Sequence, residues 1–350
     1  MKFVFLYTEL ADYVIHCLKR LADENNEVHV VKWEVNSEAP FEFKVAEGVK
    51  LYNRSDYTDK KSILGLMDVI KPDMIICSGW TDKLYLYVSG VFNGKIPTVL
   101  TLDNHWTGSL KQLIARAMSP FFLKTKFSHV WVPGNKQYEY AIQLGFSPSN
   151  IEKNFYSANV ELFTNFHVQN LEKKSIKFPH VFLYVGRYVE HKGIFDMWKA
   201  FLELNDELNT DWELWCVGAG DQFDNRIKHS KIRHFGFLQP NKMNEVISNA
   251  GVYILPSHFE PWGVTLQEFT AAGLPILCSD KVGSSEIFLE EGVNGYSFRS
   301  EDVQEIKECM YRIINMNDKS LAEFQKQSSI IGKKINSDLW VETIMKFNNA

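Results

Sequence analysis

Short apolar runs alternate with helix-period stretches from one end of the chain to the other. This alternation restricts the fold more than any other feature, because it is the pattern of βα units wound around parallel sheets. In the first half the spacing predicts strands at Lys2–Tyr7, Glu27–Trp33, Asp73–Cys77, Ile96–Leu102 and His129–Val132. Leu10–Asp23 reads as the first helix, with Val14, Leu18 and Leu21 on one face. The second half repeats the pattern with strands at Val181–Val185, Trp212–Val217, Ile232–Phe235, Val252–Pro256 and Pro275–Ser279. At 350 residues the chain has room for about two domains, each with a sizeable core. The pattern lapses over the polar stretch Thr164–Lys177, which reads as the boundary. The expected division is an N-terminal domain over 1–165, a second over 178–334, and a terminal segment over 335–350. In that last segment Leu339, Trp340, Ile344 and Phe347 fall at helical spacing, so it is expected to pack back toward the first domain. The expected architecture is two open, doubly wound α/β domains with a cleft between them. Ligands in such sheets bind outside the carboxyl ends of the strands.

Composition narrows the function classes. The chain is 45% hydrophobic and 23% charged, as ordinary globular proteins are. A net charge of −5 gives no general attraction to nucleic acid, so any basic surface must be local. Five cysteines without a C-x-x-C pair point to reduced, buried thiols in place of a disulfide frame or a zinc site. The opening MKFVFLYTEL has too short an apolar run for a signal peptide, and no stretch approaches the ~18 apolar residues of a membrane span. A soluble, cytoplasmic protein is the expectation.

The chemistry concentrates in PSHFEPWGVTLQEFTAAGLPIL, residues 256–277. A buried strand ends at Pro256, a loop carries Glu260, and a helix is expected to start near Trp262. Glu268 follows about one and a half turns later. This sets two carboxylates beside the free amides of Gly263, Val264 and Thr265, and a helix N-terminus suits a phosphate. Carboxylates next to it can accept hydrogen bonds from sugar or ribose hydroxyls.

Glu260 and Glu268, with seven residues between them, resemble the E-x7-E motif of retaining glycosyltransferases of family 4 (glycosyltransferases group 1), which have the GT-B fold of two Rossmann-like domains facing a central cleft. Further matches fall in the same order: LYVGRYVEHKG (183–193), CVGAGD (216–221), SDKVGSSEIF (279–288), VNGYSF (293–298) and, earlier, NIEKNFYSANVELF (150–163). The resemblance covers about residues 129 to 300. It implies transfer of a hexosyl unit, with retained configuration, from a nucleoside-diphosphate sugar to a glycan or lipid-linked saccharide in bacterial surface polysaccharide or glycoconjugate assembly. UDP is the preferred carrier and GDP the second. The implied donor site comprises Gly186, Arg187, Lys192, Gly218, Glu260, Trp262, Gly263, Val264, Thr265 and Glu268. Arg187 and Lys192 would meet the diphosphate, Glu260 the sugar hydroxyls and Glu268 the ribose. Charge on the departing phosphate could then be stabilised without a metal. No D-x-D occurs in the chain, and no cofactor beyond the co-substrate is expected. A GT-B nucleotide-sugar epimerase is the alternative.

His105, in TLDNHWTG, matches the first-domain histidine that approaches donor sugar and acceptor in several relatives, and Asp103 could orient it or cap the following turn. Many relatives carry a Gly-Gly pair after the first strand, where this chain has Thr8-Glu9. From His105 to Tyr138 there is no Asp or Glu, while Lys111, Arg116, Lys124, Lys126 and Lys136 supply five positive charges. Leu110, Leu113, Ile114, Ala117 and Met118 form a helical apolar stripe, and Phe121 and Phe122 follow Pro120. The segment 110–126 is either an ordinary helix packed on the sheet or a peripheral contact with an anionic membrane. The two readings differ in whether the phenylalanine pair is buried or exposed.

Overall fold

In the computed structural model, residues 1–34 and 47–348 are described. The chain divides into two compact units, Met1–Ser157 with the segment from Ile335 onward, and Ala158–Lys334.

In the first unit the elements are β1 (Lys2–Tyr7), α1 (Asp12–Asp23), β2 (Glu27–Lys32), β3 (Val49–Asn53), α2 (Lys60–Ile70), β4 (Met74–Ser78), α3 (Lys83–Phe92), β5 (Thr98–Thr101), α4 (Leu110–Phe122), β6 (His129–Trp131), α5 (Asn135–Gln143) and β7 (Ile151–Glu152). Among the described residues its sheet has the order β3-β2-β1-β4-β5-β6-β7, every pair parallel. Parallel strands are covered on both faces, which is why β1 is apolar without alternation: Phe3, Val4, Phe5 and Leu6 are all fully buried. Phe5, Trp131 and Val28 belong to the core on one face, where the closing helix Ser337–Lys346 contributes Trp340, Val341 and Ile344. Trp340 Nε1 donates to the Phe155 carbonyl at 2.8 Å, satisfying the one polar atom of a buried indole.

The second unit runs α6 (Val160–Ile176), β8 (Val181–Val185), α7 (Ile194–Leu208), β9 (Glu213–Val217), β10 (Ile232–His234), α8 (Asn244–Ile247), β11 (Val252–Leu255), α9 (Val264–Ala271), β12 (Ile276–Ser279), α10 (Ser285–Phe288), β13 (Gly295–Phe298), α11 (Val303–Ile314) and α12 (Asp318–Ile331). Its sheet order is β10-β9-β8-β11-β12-β13, again parallel throughout. In each sheet the winding reverses beside the first strand, between β1 and β4 and between β8 and β11. Loops leaving neighbouring strands diverge there and open a crevice at the carboxyl edge.

The polar stretch 164–177 is not a linker. It is the body of α6, inside the second unit. Its periodicity escapes a hydrophobic scan because the buried face reads Val160, Phe163, Phe166, His167, Asn170 and Lys174, with polar groups at half the inward positions. Lys174 is 4% exposed. Burial, and then the charge of Lys173, bring its pKa down to about 7. The unfolded chain therefore binds more protons than the folded one between about pH 7 and the ordinary lysine range. The resulting penalty is full below pH 7 and fades as pH rises through that window. Lys174→Met keeps the volume and removes the charge. It is expected to stabilise the protein by about 2 kcal/mol at pH 6–7, with the gain shrinking toward pH 10. Urea denaturation of both proteins across that range checks it, and a gain independent of pH would refute the buried-charge account.

Candidate donor-binding site in the second unit

Each loop at the carboxyl edge of the second sheet is fixed to its neighbour by backbone bonds. After β8, the Gly186 amide donates to the Val217 carbonyl at 3.0 Å, and the Tyr188 amide to Ala219 at 2.9 Å. After β9, Gly218 donates to the Gly236 carbonyl at 2.7 Å. Its φ of 142° and its close approach to the Gly186 carbonyl leave no space for a Cβ, which would stand 1.9 Å from that oxygen. The chain then leaves β8 through a short 3-10 turn, Glu190–Lys192, into α7. After β11, the His258 amide donates to the His191 carbonyl at 2.8 Å, joining the Lys192 loop to the Glu260 loop. The Glu260 carbonyl is held from the other side by the Gly283 amide at 2.9 Å.

This scaffold brings Lys192 and Glu260 together. The Lys192 ammonium donates to the Glu260 carboxylate, and the Ser257 hydroxyl reaches the same oxygen at 3.3 Å. Both side chains are largely shielded, 14% and 13% exposed, so the pair sits where charge is felt strongly. Arg187 lies on the same edge with its side chain exposed. Its carbonyl is held by the Tyr184 hydroxyl at 2.8 Å. The local field is positive around His191: burial first, then Lys192 and Arg187, push its pKa below the usual histidine value. An anion bound here would reverse the latter two effects.

The helix α9 starts at Val264, two residues later than the sequence suggests, because Gly263 takes a left-handed φ of 87° and turns the chain. No side chain caps it. The amides of its first turn, Val264 and Thr265 among them, have no carbonyl within the helix to receive them, which suits an anion. The Thr265 hydroxyl is held by the Tyr253 hydroxyl at 2.9 Å, and Tyr253 also reaches the Val185 carbonyl at 3.2 Å. Burial raises the Tyr253 pKa well above normal, and the nearby Glu260 and Glu268 carboxylates raise it further, so both acids lie close to this tyrosine. Glu268 itself is half-buried on α9.

One residue does not serve as expected. Trp262 is 2% exposed, its ring buried beneath the loop, and so it offers no face to a base or sugar. Its carbonyl instead accepts the Ser284 amide at 2.9 Å. A bulky aromatic just before a left-handed glycine is pulled into the core because the turn aims it inward.

His105 belongs to the first unit, half-buried in the loop after β5. Its carbonyl accepts from Gln112 Nε2 at 2.7 Å. The neighbouring Asp103 carboxylate takes the Tyr156 hydroxyl at 3.3 Å, while burial raises its pKa. Thr8 stands at the switch point of the first sheet, its hydroxyl 3.1 Å from that of Ser78 after β4. His191, Ser257, His258 and Tyr253 went unnoticed in the sequence. His258 bonds Asp196 at 2.6 Å and thereby links its loop to α7. Only adjacency to Lys192 and Glu260 in the quoted motifs hinted at the first three. Among the described residues, no group of three or more His, Cys, Asp or Glu is placed to hold a metal ion.

Both units are doubly wound parallel sheets, and cations and an uncapped helix end gather at the switch point of the second. The structure of Anabaena Alr3699/HepE in complex with UDP and glucose matches with a TM-score of 0.73 at 15% identity, covering 99% of this chain and 98% of that one. WaaG, a glycosyltransferase involved in lipopolysaccharide biosynthesis, matches with a TM-score of 0.70 at 13% identity, covering 99% and 100%. The fold is GT-B.

Residues 168–329 match the model of glycosyl transferases group 1. Among curated relatives, the glycogen synthase of Mycobacterium tuberculosis is 28% identical over 173 residues, 47% of this chain and 40% of that protein. The lipopolysaccharide 1,6-galactosyltransferase of Salmonella typhimurium is 25% identical over 183 residues, 49% of this chain and 48% of its own length. The chain thus spans about half or less of these relatives.

Proposed function

We propose that this protein is a retaining, metal-independent glycosyltransferase that moves a hexosyl unit from a nucleoside-diphosphate sugar, UDP before GDP, to a hydroxyl of a glycan or lipid-linked saccharide. The observation that carries the proposal is the Lys192–Glu260 pair beside Arg187 and the uncapped N-terminus of α9, gathered at one switch point. The chemistry needs those groups. When the bond from C1 to the β-phosphate oxygen breaks, that oxygen keeps the electron pair. Arg187, Lys192 and the α9 amides stabilise the new charge, which is why no metal is required. The acceptor oxygen bonds C1 on the face being vacated, and its proton passes to the departing phosphate. Glu260 holds donor-sugar hydroxyls and Glu268 the ribose diol, as binding groups. Gly186, Gly218 and Gly263 let backbone approach the diphosphate, and His105 serves the transferred sugar.

The family match and the names of the relatives support the reaction class. UDP as carrier is supported by neighbours solved with UDP. The lipopolysaccharide enzymes among the relatives support a place in bacterial surface polysaccharide or glycoconjugate assembly. We place the protein in the cytoplasm at the inner face of the membrane, in peripheral contact through residues 110–126. No described helix is long and apolar enough to cross a membrane.

A nucleotide panel tests the donor site. At saturating concentration UDP is expected to raise the unfolding midpoint by several degrees, GDP by less, and both shifts are expected to survive EDTA. A shift that needs added divalent ion would refute metal independence. Rapid epimerisation of donor incubated alone would replace transfer with the epimerase reading.

A further inference from the structure

A second cleft, about 770 Å³, opens on the second unit at the amino ends of β8 and β9, away from the donor loops. Strand alternation makes its floor. On β9, Leu214 and Cys216 are buried, and Trp198 of α7 meets Cys216 at 3.5 Å, so α7 covers that side of the sheet. Glu213 and Trp215 alternate with them and project from the opposite side, both partly exposed. Trp215 is flanked in register by Leu183 of β8 and Arg233 of β10. The return from β10 to β11 passes through a 3-10 turn, Pro240–Lys242, and the four-residue α8. At 1.5 Å per residue α8 is about 6 Å long, too short to roof β9 and β10. The wall is the carboxyl half of α6, which is braced to that return. Lys173 Nζ donates to Asn249 Oδ1 at 2.9 Å, and Asn244 Nδ2 to Gln169 Oε1 at 3.1 Å.

The floor is held in a fixed arrangement. Trp215 Nε1 donates to Glu213 Oε2 at 2.7 Å, and Arg233 Nε reaches the same oxygen at 3.0 Å. The Arg233 guanidinium lies 5.1 Å from the Trp215 ring centre, and the Phe235 ring stands 5.1 Å from it as well. The result is an aromatic platform with polar groups fixed at its rim. Lys173, Lys177 and Arg233 are matched by Glu172, Asp211 and Glu213, so with His180 neutral the lining carries no net charge. A phosphate, an acidic peptide or an anionic leaflet would find no attracting field there. An apolar ligand would strip water from the charges and amides and return no hydrogen bonds. An uncharged sugar chain meets both demands. Its C–H faces pack on aromatic rings, while its hydroxyls donate to carboxylates and accept from guanidinium and amide groups. The volume is that of a small-ligand site.

We propose that this cleft is a non-catalytic binding site for a short segment of uncharged oligosaccharide, with Trp215 as the stacking platform and Glu213, Arg233 and Asn249 as hydroxyl partners. β9 runs from Glu213 at the cleft to Val217, which leads into the Gly218 turn, about 13 Å along the strand. The cleft thus takes a part of a glycan other than the reacting sugar, and retention there raises the local concentration of the chain. Only that last consequence rests on the transfer reading.

Calorimetric titration of the full-length protein tests the proposal, with maltohexaose, cellohexaose and chitohexaose as uncharged probes and hexagalacturonate as a charged one. At least one uncharged probe is expected to bind with a Kd of about 1 mM or tighter. Trp215→Ala and Arg233→Ala are each expected to weaken that binding at least about tenfold. Arg233 is exposed, so its variant should melt as the wild type does and keeps the test sound if Trp215→Ala is unstable. UDP should shift the unfolding midpoint equally in the wild type and both variants, because neither residue lies at the donor edge. The proposal is overturned if none of the uncharged probes binds, or if both variants bind them as tightly as the wild type. It is also overturned if hexagalacturonate binds more tightly than every uncharged probe and Arg233→Ala abolishes that binding. A normal UDP response beside absent oligosaccharide binding removes the cleft alone and leaves the transfer reaction standing.

Discussion

Arg187→Ala and Lys192→Ala are each expected to lower turnover at least about a hundredfold, the loss that follows removal of one preorganised charge stabiliser. The two should differ in detail. Arg187 is exposed on the sheet edge, and its removal is expected to take away phosphate stabilisation. Lys192 also neutralises Glu260, whose side chain is 13% exposed. In Lys192→Ala that carboxylate keeps, among the described residues, the Ser257 hydroxyl as its side-chain donor, at 3.3 Å. Donor binding should therefore weaken in Lys192→Ala as well as turnover, whereas Arg187→Ala should act mostly on turnover. Steady-state kinetics with the donor varied separates kcat from KM, and unchanged melting temperatures exclude misfolding as the cause. Near-wild-type turnover in both variants would remove the mechanism.

Gly193→Ala is expected to destabilise the second unit by at least about 3 kcal/mol, a magnitude that combines a strained backbone with a backbone clash. Gly193 has a φ of 67°, and a Cβ there would lie 2.0 Å from the Pro256 carbonyl oxygen. That oxygen belongs to the backbone after β11, so relief requires the Lys192 loop and the Glu260 loop to part. The bond from the His258 amide to the His191 carbonyl, which holds the two loops together, would be lost with it. Activity should fall along with stability. Gly65→Ala is the matched control, since a Cβ at Gly65 on α2 meets nothing within 4 Å. There the substitution should stabilise by about 0.5–1 kcal/mol, because glycine is a poor helix former. Chemical denaturation of both variants checks the pair. Equal stability in the two would mean that the close approach at Gly193 is not obligatory.

The sequence by itself determined the βα alternation, and from it the parallel sheets. Runs such as Phe3–Leu6 and Phe182–Tyr184 can be fully buried only between two covering layers. It also determined the order of the charged and glycine-rich loops, 186–193, 218–220 and 260–268. In a parallel sheet every loop that leaves a strand for a helix emerges at the same edge, so order along the chain is enough to put Gly186, Lys192, Gly218 and Glu260 on one rim. Periodicity, however, reports that a helix has two unlike sides and not which side its neighbours occupy. Tertiary structure alone decided that α4 turns its apolar side outward, that α6 buries Lys174 while the polar stretch 164–177 stays helical, and that the Trp262 ring goes inside the second unit. It alone paired Lys192 with Glu260 across 68 positions of sequence. Those outcomes depend on what is packed against each residue, and a side chain's surroundings are set by distant segments that no local pattern encodes.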